Sequence, residues 1–134
     1  MSTLTVTNAQ VTTLKDASGN NPTTPSDLVQ GRAKAWFNLN GTGTPAFRDS
    51  FNCASLTDNG TGDYTVNFTT NFADTNYATI GSAAQADVGG ISDLCVTHII
   101  AAKAVGSTRM EVVRGSNNNK IDEEGVDCIY FGDQ

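Results

Sequence analysis

Acidic side chains are the residues of this sequence whose types and spacing could perform chemistry. Asp58 and Asp63 bracket the run DNGTGD, and four more acids cluster near the C-terminus: Asp122, Glu123, Glu124 and Asp127. Two carboxyl groups a few ångströms apart across a cleft can hydrolyse a glycosidic bond. Acids in polar loops, however, are usually only solvated. A small glycan-degrading enzyme is therefore the last of three hypotheses for this chain, and we expect no catalytic residue.

The run from Asp58 to Asp63 could also supply oxygen ligands to calcium. Its oxygens fall at the first, second and sixth positions, whereas a calcium loop places carboxylates at alternate positions. The polar run of Asp16, Asn20 and Asn21 has the same weakness. Asn59-Gly60 readily supplies the positive φ angles of a tight turn. We therefore predict a turn here, with no metal ion and no cofactor.

Histidine and cysteine give no stronger signal. His98 is the single histidine and lies in an apolar run, so a hydrogen-bonded structural role is favoured over that of a catalytic base. The three cysteines, Cys53, Cys95 and Cys128, are odd in number and far apart in sequence. A disulfide framework normally uses an even set, and zinc sites use closely paired ligands. Buried, reduced thiols are the prediction.

The elements that would position these residues are short strands. Tyr64, Val66 and Phe68 alternate with polar residues, as in a strand with one buried face. Further strands are predicted over 32–40, 77–82, 94–101, 107–113 and 126–132, with 46–56 pairing back against 32–40 as a hairpin.

The pattern of many short strands with frequent turn signals predicts an all-β fold. We expect an antiparallel β-sandwich or small barrel over residues 31–134. Residues 1–30 are expected to form an N-terminal arm of extended strand or an edge hairpin, because they are poor in aromatic residues and rich in Thr and Val. Such an arm has open strand edges, which favour pairing with another chain.

The net charge and the lengths of the apolar runs limit the classes of partner that the protein can bind. The net charge of −6 argues against nucleic acid, whose phosphates require a basic surface. The sequence contains no apolar run of membrane-spanning length, and its first residues, Met1-Ser2-Thr3, do not begin a signal peptide. We therefore expect no membrane insertion and synthesis in a cytoplasm.

Residues 32–81 contain a more specific pattern. It begins with AKAWFNLNGTG at Ala33 and continues with the single residues Arg48 and Asn52. It then has TDNGTGDY at Thr57, NFT at Asn67 and finally Asn76-Tyr77. This pattern resembles a module that recurs in bacteriophage tail-fibre and related virion proteins. The opening LTVTNAQVTTLKDASGN is similar to the repetitive fibre segment that often precedes that module, and Phe131-Gly132-Asp133 to its final strand. Pro45 and Phe47 depart from the pattern, and residues 83–125 match no part of it.

The resemblance implies a virion structural protein, made in the cytoplasm of a host bacterium, that assembles as a homotrimer and has no catalytic residues. Aromatic and arm residues would form the contact between subunits, and we expect Trp36 to be buried there because it alternates with core-facing Phe37 and Leu39. The predicted contact residues are Trp36, Phe37, Phe47, Thr5 and Val11.

Two roles in a virion stay open. In the first, the protein is tail-fibre-like and binds a host receptor, with a surface glycan as the candidate ligand, through loops at one end of the sandwich. The second is a trimeric capsid decoration or cement protein on the phage head, bound to the major capsid protein; the shortness of the chain favours it, and its N-terminal arm would hold the shell by strand addition. The predicted receptor-binding residues are Gln85, Asp87, Asn117, Asn118 and Asn119.

Overall fold

The structure is a computed structural model, and it describes residues 10–84, 95–99, 103–115 and 117–134, with the backbone alone for 95–99. The chain divides into two compact units, residues 1–32 and residues 33–134.

The first unit contains a turn and one short helix. The Asp16 carboxylate accepts hydrogen bonds from the backbone N–H groups of Ser18 and Asn20, at 3.0 and 2.8 Å, so it stabilises its own turn. Helix α1 spans Pro25–Gln30, and Thr24 and Asp27 form a capping box at its start. None of its residues is buried.

The second unit is a β-sandwich of two four-stranded antiparallel sheets, which confirms the predicted all-β class; within the described ranges neither sheet closes into a barrel. Sheet I has the strand order β2-β1-β8-β5, and sheet II has the order β3-β4-β7-β6. The strands are β1 Ala35–Asn40, β2 Ala46–Phe51, β3 Cys53–Gly60, β4 Asp63–Phe68, β5 Ala78–Ala84, β6 Cys95–Ile99, β7 Ser107–Arg114 and β8 Gly125–Phe131.

The core lies between the two sheets and is rich in aromatic side chains. Alternation along β1 and β4 places every second residue inside, as the sequence predicts. Phe68 is the centre of the aromatic cluster, with its ring centroid 5.0 Å from that of Phe72 and 5.1 Å from that of Tyr130. Edge-to-face pairs at these distances stabilise a core beyond the area they bury. The core residues are Ala35, Phe37, Leu39, Tyr64, Val66, Phe68, Phe72, Tyr77, Met110, Val112, Val126, Cys128 and Tyr130.

The segment 46–56 pairs with β1 as the predicted hairpin only as far as Phe51, which corrects the predicted extent of its second strand. Residues up to Phe51 belong to sheet I, and those from Cys53 belong to sheet II. Asn52 stands between them in the left-handed region, with φ of 58°, which asparagine adopts more readily than most residues. Its amide donates to the Lys34 carbonyl at 3.0 Å and accepts from the Thr70 N–H at 2.6 Å, so the bend is held from both sides.

The turn predicted within the run from Asp58 to Asp63 is present, but it lies two residues after Asn59-Gly60. β3 continues to Gly60, and Thr61-Gly62 form the connection to β4. Gly62 has φ of +61°, and a Cβ at this position would lie 2.7 Å from backbone atoms of Ile121 and Val112. Close approach of backbone therefore requires glycine here, in addition to the φ angle.

Candidate functional site

An apolar row crosses the outer face of sheet I. Because Ala35 and Phe37 point into the core, Trp36 points outward, and its neighbours in register are Phe51 on β2 and Ile129 on β8. Ile129 is in turn paired with Ile80 on β5. The row Phe51–Trp36–Ile129–Ile80, named the apolar row below, thus runs through all four strands.

The apolar row is open to solvent. Phe51 is 52% exposed, Ile80 65% and Ile129 41%, while Trp36 between them is half-buried. Isolated exposed apolar side chains are common on protein surfaces, but a contiguous set in register is not. Four adjacent side chains, one of them tryptophan, form a surface suited to contact with another macromolecule.

A polar row lies beside the apolar row, two residues along each strand. It consists of Asp49, Asn38, Asp127 and Ser82 in register. The Asn38 amide donates a 2.6 Å hydrogen bond to the Asp127 carboxylate across the β1–β8 pair. The apolar row therefore has an ordered polar border, as interface cores do.

The outer face of sheet II has the opposite character. Thr57, Thr65 and Arg109 form one cross-strand row, and Asn67 lies in the next. The Asn67 amide donates to the Ser55 hydroxyl at 3.0 Å. Neutral hydroxyl and amide groups of this kind keep a strand face hydrated and offer hydrogen bonds to other neutral polar groups.

A charged cluster lies on this face at the start of β4. Arg109 contacts both carboxylate oxygens of Asp63, at 2.8 and 2.9 Å, and the Lys120 ammonium lies 2.8 Å from the same group. Lys120 also forms an ion pair with Glu111. The Asp63 side chain is only 5% exposed. Hydrogen bonds from Arg109, and then from Lys120, outweigh desolvation and lower the pKa of Asp63 to about 2.

The acids singled out in the sequence have structural roles. Asp122 accepts hydrogen bonds from the Tyr64 hydroxyl at 2.7 Å and from the Gly62 N–H at 2.6 Å. Asp58 accepts from the Gly60 N–H at 2.9 Å. Together with the ion pairs of Asp63, these contacts engage Asp58, Asp63 and Asp122 in turns and networks. Among the residues that the structure describes, no group of three or more His, Cys, Asp or Glu is arranged to hold a metal ion.

The predicted subunit-contact residues separate into three environments. Trp36 is part of the apolar row. Phe37 is 2% exposed and belongs to the core, with Phe47 packed beside it at a ring distance of 5.4 Å, so neither presents its ring on the outer face. Val11 is 41% exposed in the first unit, and Thr5 lies outside the described residues.

The predicted receptor-binding residues fall in two segments. Gln85 and Asp87 lie outside the described residues. Asn117, Asn118 and Asn119 are exposed in the turn after β7, where Asn118 has φ of 57° and donates its N–H to the Arg114 carbonyl at 2.8 Å. Asparagine suits this turn because it tolerates left-handed φ. The geometry of the turn therefore explains why position 118 is an asparagine.

Exposed aliphatic side chains also mark the first unit. Val11, Leu14, Leu28 and Val29 are each between 41% and 50% exposed. Leu28 and Val29 lie on α1, which has no buried residue. A short segment with its aliphatic residues in solvent has apolar area to offer a partner chain.

The cysteines and the histidine show no reactive arrangement in the part of the chain that the structure describes. Cys53 and Cys128 are free thiols, and burial raises the pKa of each to about 11. Thiols in that state are poor nucleophiles at neutral pH. His98 lies on β6 in register with Glu111, and its side chain is outside the described residues.

Sequence reasoning predicted Trp36 as a contact residue but missed Phe51, Ile80 and Ile129. Strand alternation carries the signal for Ile129, which lies opposite in phase to the buried Cys128 and Tyr130. These residues form one row because their strands pair in a particular register, and they are far apart in the chain. Local sequence patterns cannot predict that register.

Comparison of the chain with protein-family models, with curated proteins and with solved structures finds no match. In the described ranges there is no helix with the length and apolar character needed to cross a membrane.

Proposed function

We propose that this protein is a structural subunit of a bacteriophage virion, tail-fibre-like, that contributes to host attachment. The observation that carries the proposal is the apolar row of sheet I, which leaves a tryptophan-centred surface of a β-sandwich open for assembly. The resemblance of residues 32–81 to the virion module supplies the context in which such a surface is used. That resemblance implies assembly of the chain as a homotrimer alongside other virion proteins.

The chemistry of the described residues supports a binding role over catalysis. Of the acids that could have formed a hydrolytic pair, Asp58 is engaged in a turn, Asp122 in a hydroxyl contact and Asp63 in a salt-bridge cluster. Beside its charged cluster, the outer face of sheet II offers neutral hydroxyl and amide groups on β3 and β4, which suit a host surface glycan. A binding protein of this kind requires no cofactor.

A second role, as a decoration protein on the phage head, is favoured by the first unit. Its four exposed aliphatic residues, Val11, Leu14, Leu28 and Val29, offer apolar area for contact with a shell. The major capsid protein would be the partner in that case. The two roles differ in the position of the protein on the particle, which is the tail for receptor binding and the head for decoration.

Immunogold electron microscopy of intact particles tests the proposal. An antibody raised against the full chain should label the virion, with label at the tail tip for receptor binding or over the head for decoration. Pre-incubation of the antibody with purified protein should abolish the label and serves as the control. Particles without label, beside a positive blot of the same infected cells, would overturn the virion assignment.

A further inference from the structure

We propose that Asn59 is a site of spontaneous deamidation, at which the side-chain amide is lost as ammonia and the residue becomes aspartate or isoaspartate. The sequence contains two Asn-Gly pairs, Asn40-Gly41 and Asn59-Gly60. Glycine after asparagine favours this reaction, because it has no side chain to hinder the backbone rearrangement. The reaction consumes only water and requires neither an enzyme nor a partner, so it does not depend on the proposed function.

The reaction has two steps. In the first, the backbone nitrogen of Gly60 loses its proton and attacks Cγ of Asn59. The new N–C bond closes a succinimide ring, the bond from Cγ to the side-chain nitrogen breaks, and that nitrogen leaves as ammonia. Water then opens the ring. Cleavage of the new bond at Cγ gives aspartate, and cleavage at the main-chain carbonyl of residue 59 gives isoaspartate.

The backbone at Asn59-Gly60 has room for this rearrangement. Both residues are exposed, and a Cβ added to Gly60 would meet nothing within 4 Å. The register of β3 with β4 skips Asn59, which lies at an irregularity between Asp58 and Gly60. β3 is also an edge strand of sheet II. The ring can therefore close with little disruption of the strand ladder.

A proton acceptor lies beside the attacking nitrogen. The Gly60 N–H donates to Oδ1 of Asp58 at 2.9 Å, which is within reach of a general base for the proton that this nitrogen must lose. The Asn59 side-chain amide donates to the Thr65 hydroxyl at 2.9 Å and to Oδ1 of Asp63 at 3.4 Å. These contacts hold the nitrogen that leaves as ammonia, and at an exposed side chain water can replace them.

The other pair, Asn40-Gly41, is enclosed. Gly41 is buried, and its N–H donates to the Glu123 carbonyl at 2.8 Å. A Cβ at Gly41 would lie 2.5 Å from the Tyr64 hydroxyl oxygen and 2.9 Å from the Glu123 carbonyl oxygen, so the backbone there has little room to move. Because ring closure at Asn40 must break the buried hydrogen bond, it should be slower than at Asn59 by about tenfold or more.

Mass spectrometry of the incubated full chain tests the proposal. The protein is held in neutral buffer or in guanidinium chloride and then digested with trypsin. Cleavage after Lys34, Arg48 and Lys103 places the two asparagines in separate peptides, in which tandem spectra locate the converted residue. In denaturant the two pairs should react at similar rates. In the native protein Asn59 should react at least about tenfold faster than Asn40.

Two variants separate the chemistry from the fold. Asn59→Gln is the matched control, because it keeps an amide whose longer side chain must close a larger and less favourable ring. Its amide should stay intact over the same time. Asp58→Ser keeps an oxygen that can accept the Gly60 N–H but removes the carboxylate, so deamidation of Asn59 should slow severalfold. If Asp58 only held the turn, loosening it would instead accelerate the reaction.

The proposal is overturned if Asn59 in the native protein reacts no faster than Asn40. It is also overturned if the glutamine of Asn59→Gln is converted as fast as the asparagine of the wild type. An unchanged or higher rate in Asp58→Ser would overturn the assignment of Asp58 as the proton acceptor.

Discussion

The Tyr64 hydroxyl lies 2.7 Å from Oδ1 of Asp122 and joins β4 to the segment that precedes β8. Tyr64 is fully buried, and its hydroxyl is also 3.2 Å from the Gly41 carbonyl oxygen. The same carboxylate oxygen accepts the Gly62 N–H at 2.6 Å. One acid, which the sequence offers as a candidate for catalysis, therefore joins the start of β4 and the turn before it to the segment that precedes β8.

Replacing Tyr64 with phenylalanine should lower the free energy of unfolding by about 1–3 kcal/mol, because the partly buried Asp122 carboxylate loses its hydroxyl donor. Burial and the neighbouring Asp122 carboxylate raise the pKa of Tyr64, so the hydroxyl stays protonated through the neutral range. Urea unfolding followed by circular dichroism measures the change.

Tyr130→Phe is the matched control for this substitution. Tyr130 is equally buried, but its hydroxyl has no nitrogen or oxygen hydrogen-bond partner. Its removal should be neutral or slightly stabilising, because at most a weak hydrogen bond with the Cys128 thiol is lost and a buried polar group is removed. Equal decreases in the free energy of unfolding for the two variants would show that the hydrogen bond to Asp122 does not contribute to stability.

Gly62→Ala should destabilise the protein by about 3 kcal/mol or more, because the new methyl group would meet backbone atoms of Ile121 and Val112 at 2.7 Å. Gly43→Ala separates this clash from backbone strain. Gly43 has a similar φ of +69°, but an added Cβ there has nothing within 4 Å. It should cost only about 1–2 kcal/mol. Thermal unfolding of both variants measures the two losses of stability. If the losses were similar, backbone strain from positive φ alone would explain the effect at Gly62.

The elements of the fold could be predicted from local sequence where one sheet face is buried. Along β4 the alternation of Tyr64, Val66 and Phe68 with polar residues fixes both the strand and its inner face. The division at Asn52 could not be predicted in the same way. Its bend depends on hydrogen bonds to Lys34 and Thr70, each 18 residues away, and the flanking sequence reads as one strand.

The candidate site was accessible to sequence reasoning only in part. Trp36 stands out because a large aromatic residue alternates with core residues on a strand. Ile129 is marked only by its alternation with the buried Cys128 and Tyr130, and Ile80 does not stand out, because an aliphatic residue on a strand is normally interpreted as core. Their pairing across β5 and β8 spans 49 positions, from 80 to 129, and arises from a strand order that no local pattern contains.

Asp63 should make stability depend on pH in the acid range. Its pKa is about 2 in the folded protein and 3.8 without its partners, so the folded state favours the charged form. The resulting stabilisation is present above pH 4 and is lost as pH falls toward 2. Because Arg109 and Lys120 are about half exposed, solvent screening reduces the contribution to about 1–2 kcal/mol.

Asp63→Asn tests this contribution. The variant should be less stable than the wild type at pH 6, and the difference between them should shrink as pH falls from 4 to 2 in denaturant titrations. Asp49→Asn is the control, since Asp49 is an exposed carboxylate on the other sheet. A constant gap between wild type and Asp63→Asn at every pH would assign the loss to packing instead of charge.

The thiols of Cys53 and Cys128 should react slowly in the native protein. Burial is the main cause that raises the pKa of each from an ordinary 9.0 to about 11, which lowers the thiolate fraction at pH 8 about 100-fold. The Cys53 thiol also lies 3.5 Å from the carbonyl oxygens of Trp36 and Phe51, the two neighbouring residues of the apolar row.

A thiol-disulfide reagent such as Ellman's should therefore modify both cysteines at least ~100-fold more slowly in buffer than in urea. A Cys95→Ser background removes the third cysteine, so that the absorbance change reports these two alone. Reaction of either thiol at the rate seen in urea would mean that the edge of the sandwich beside the apolar row opens in solution.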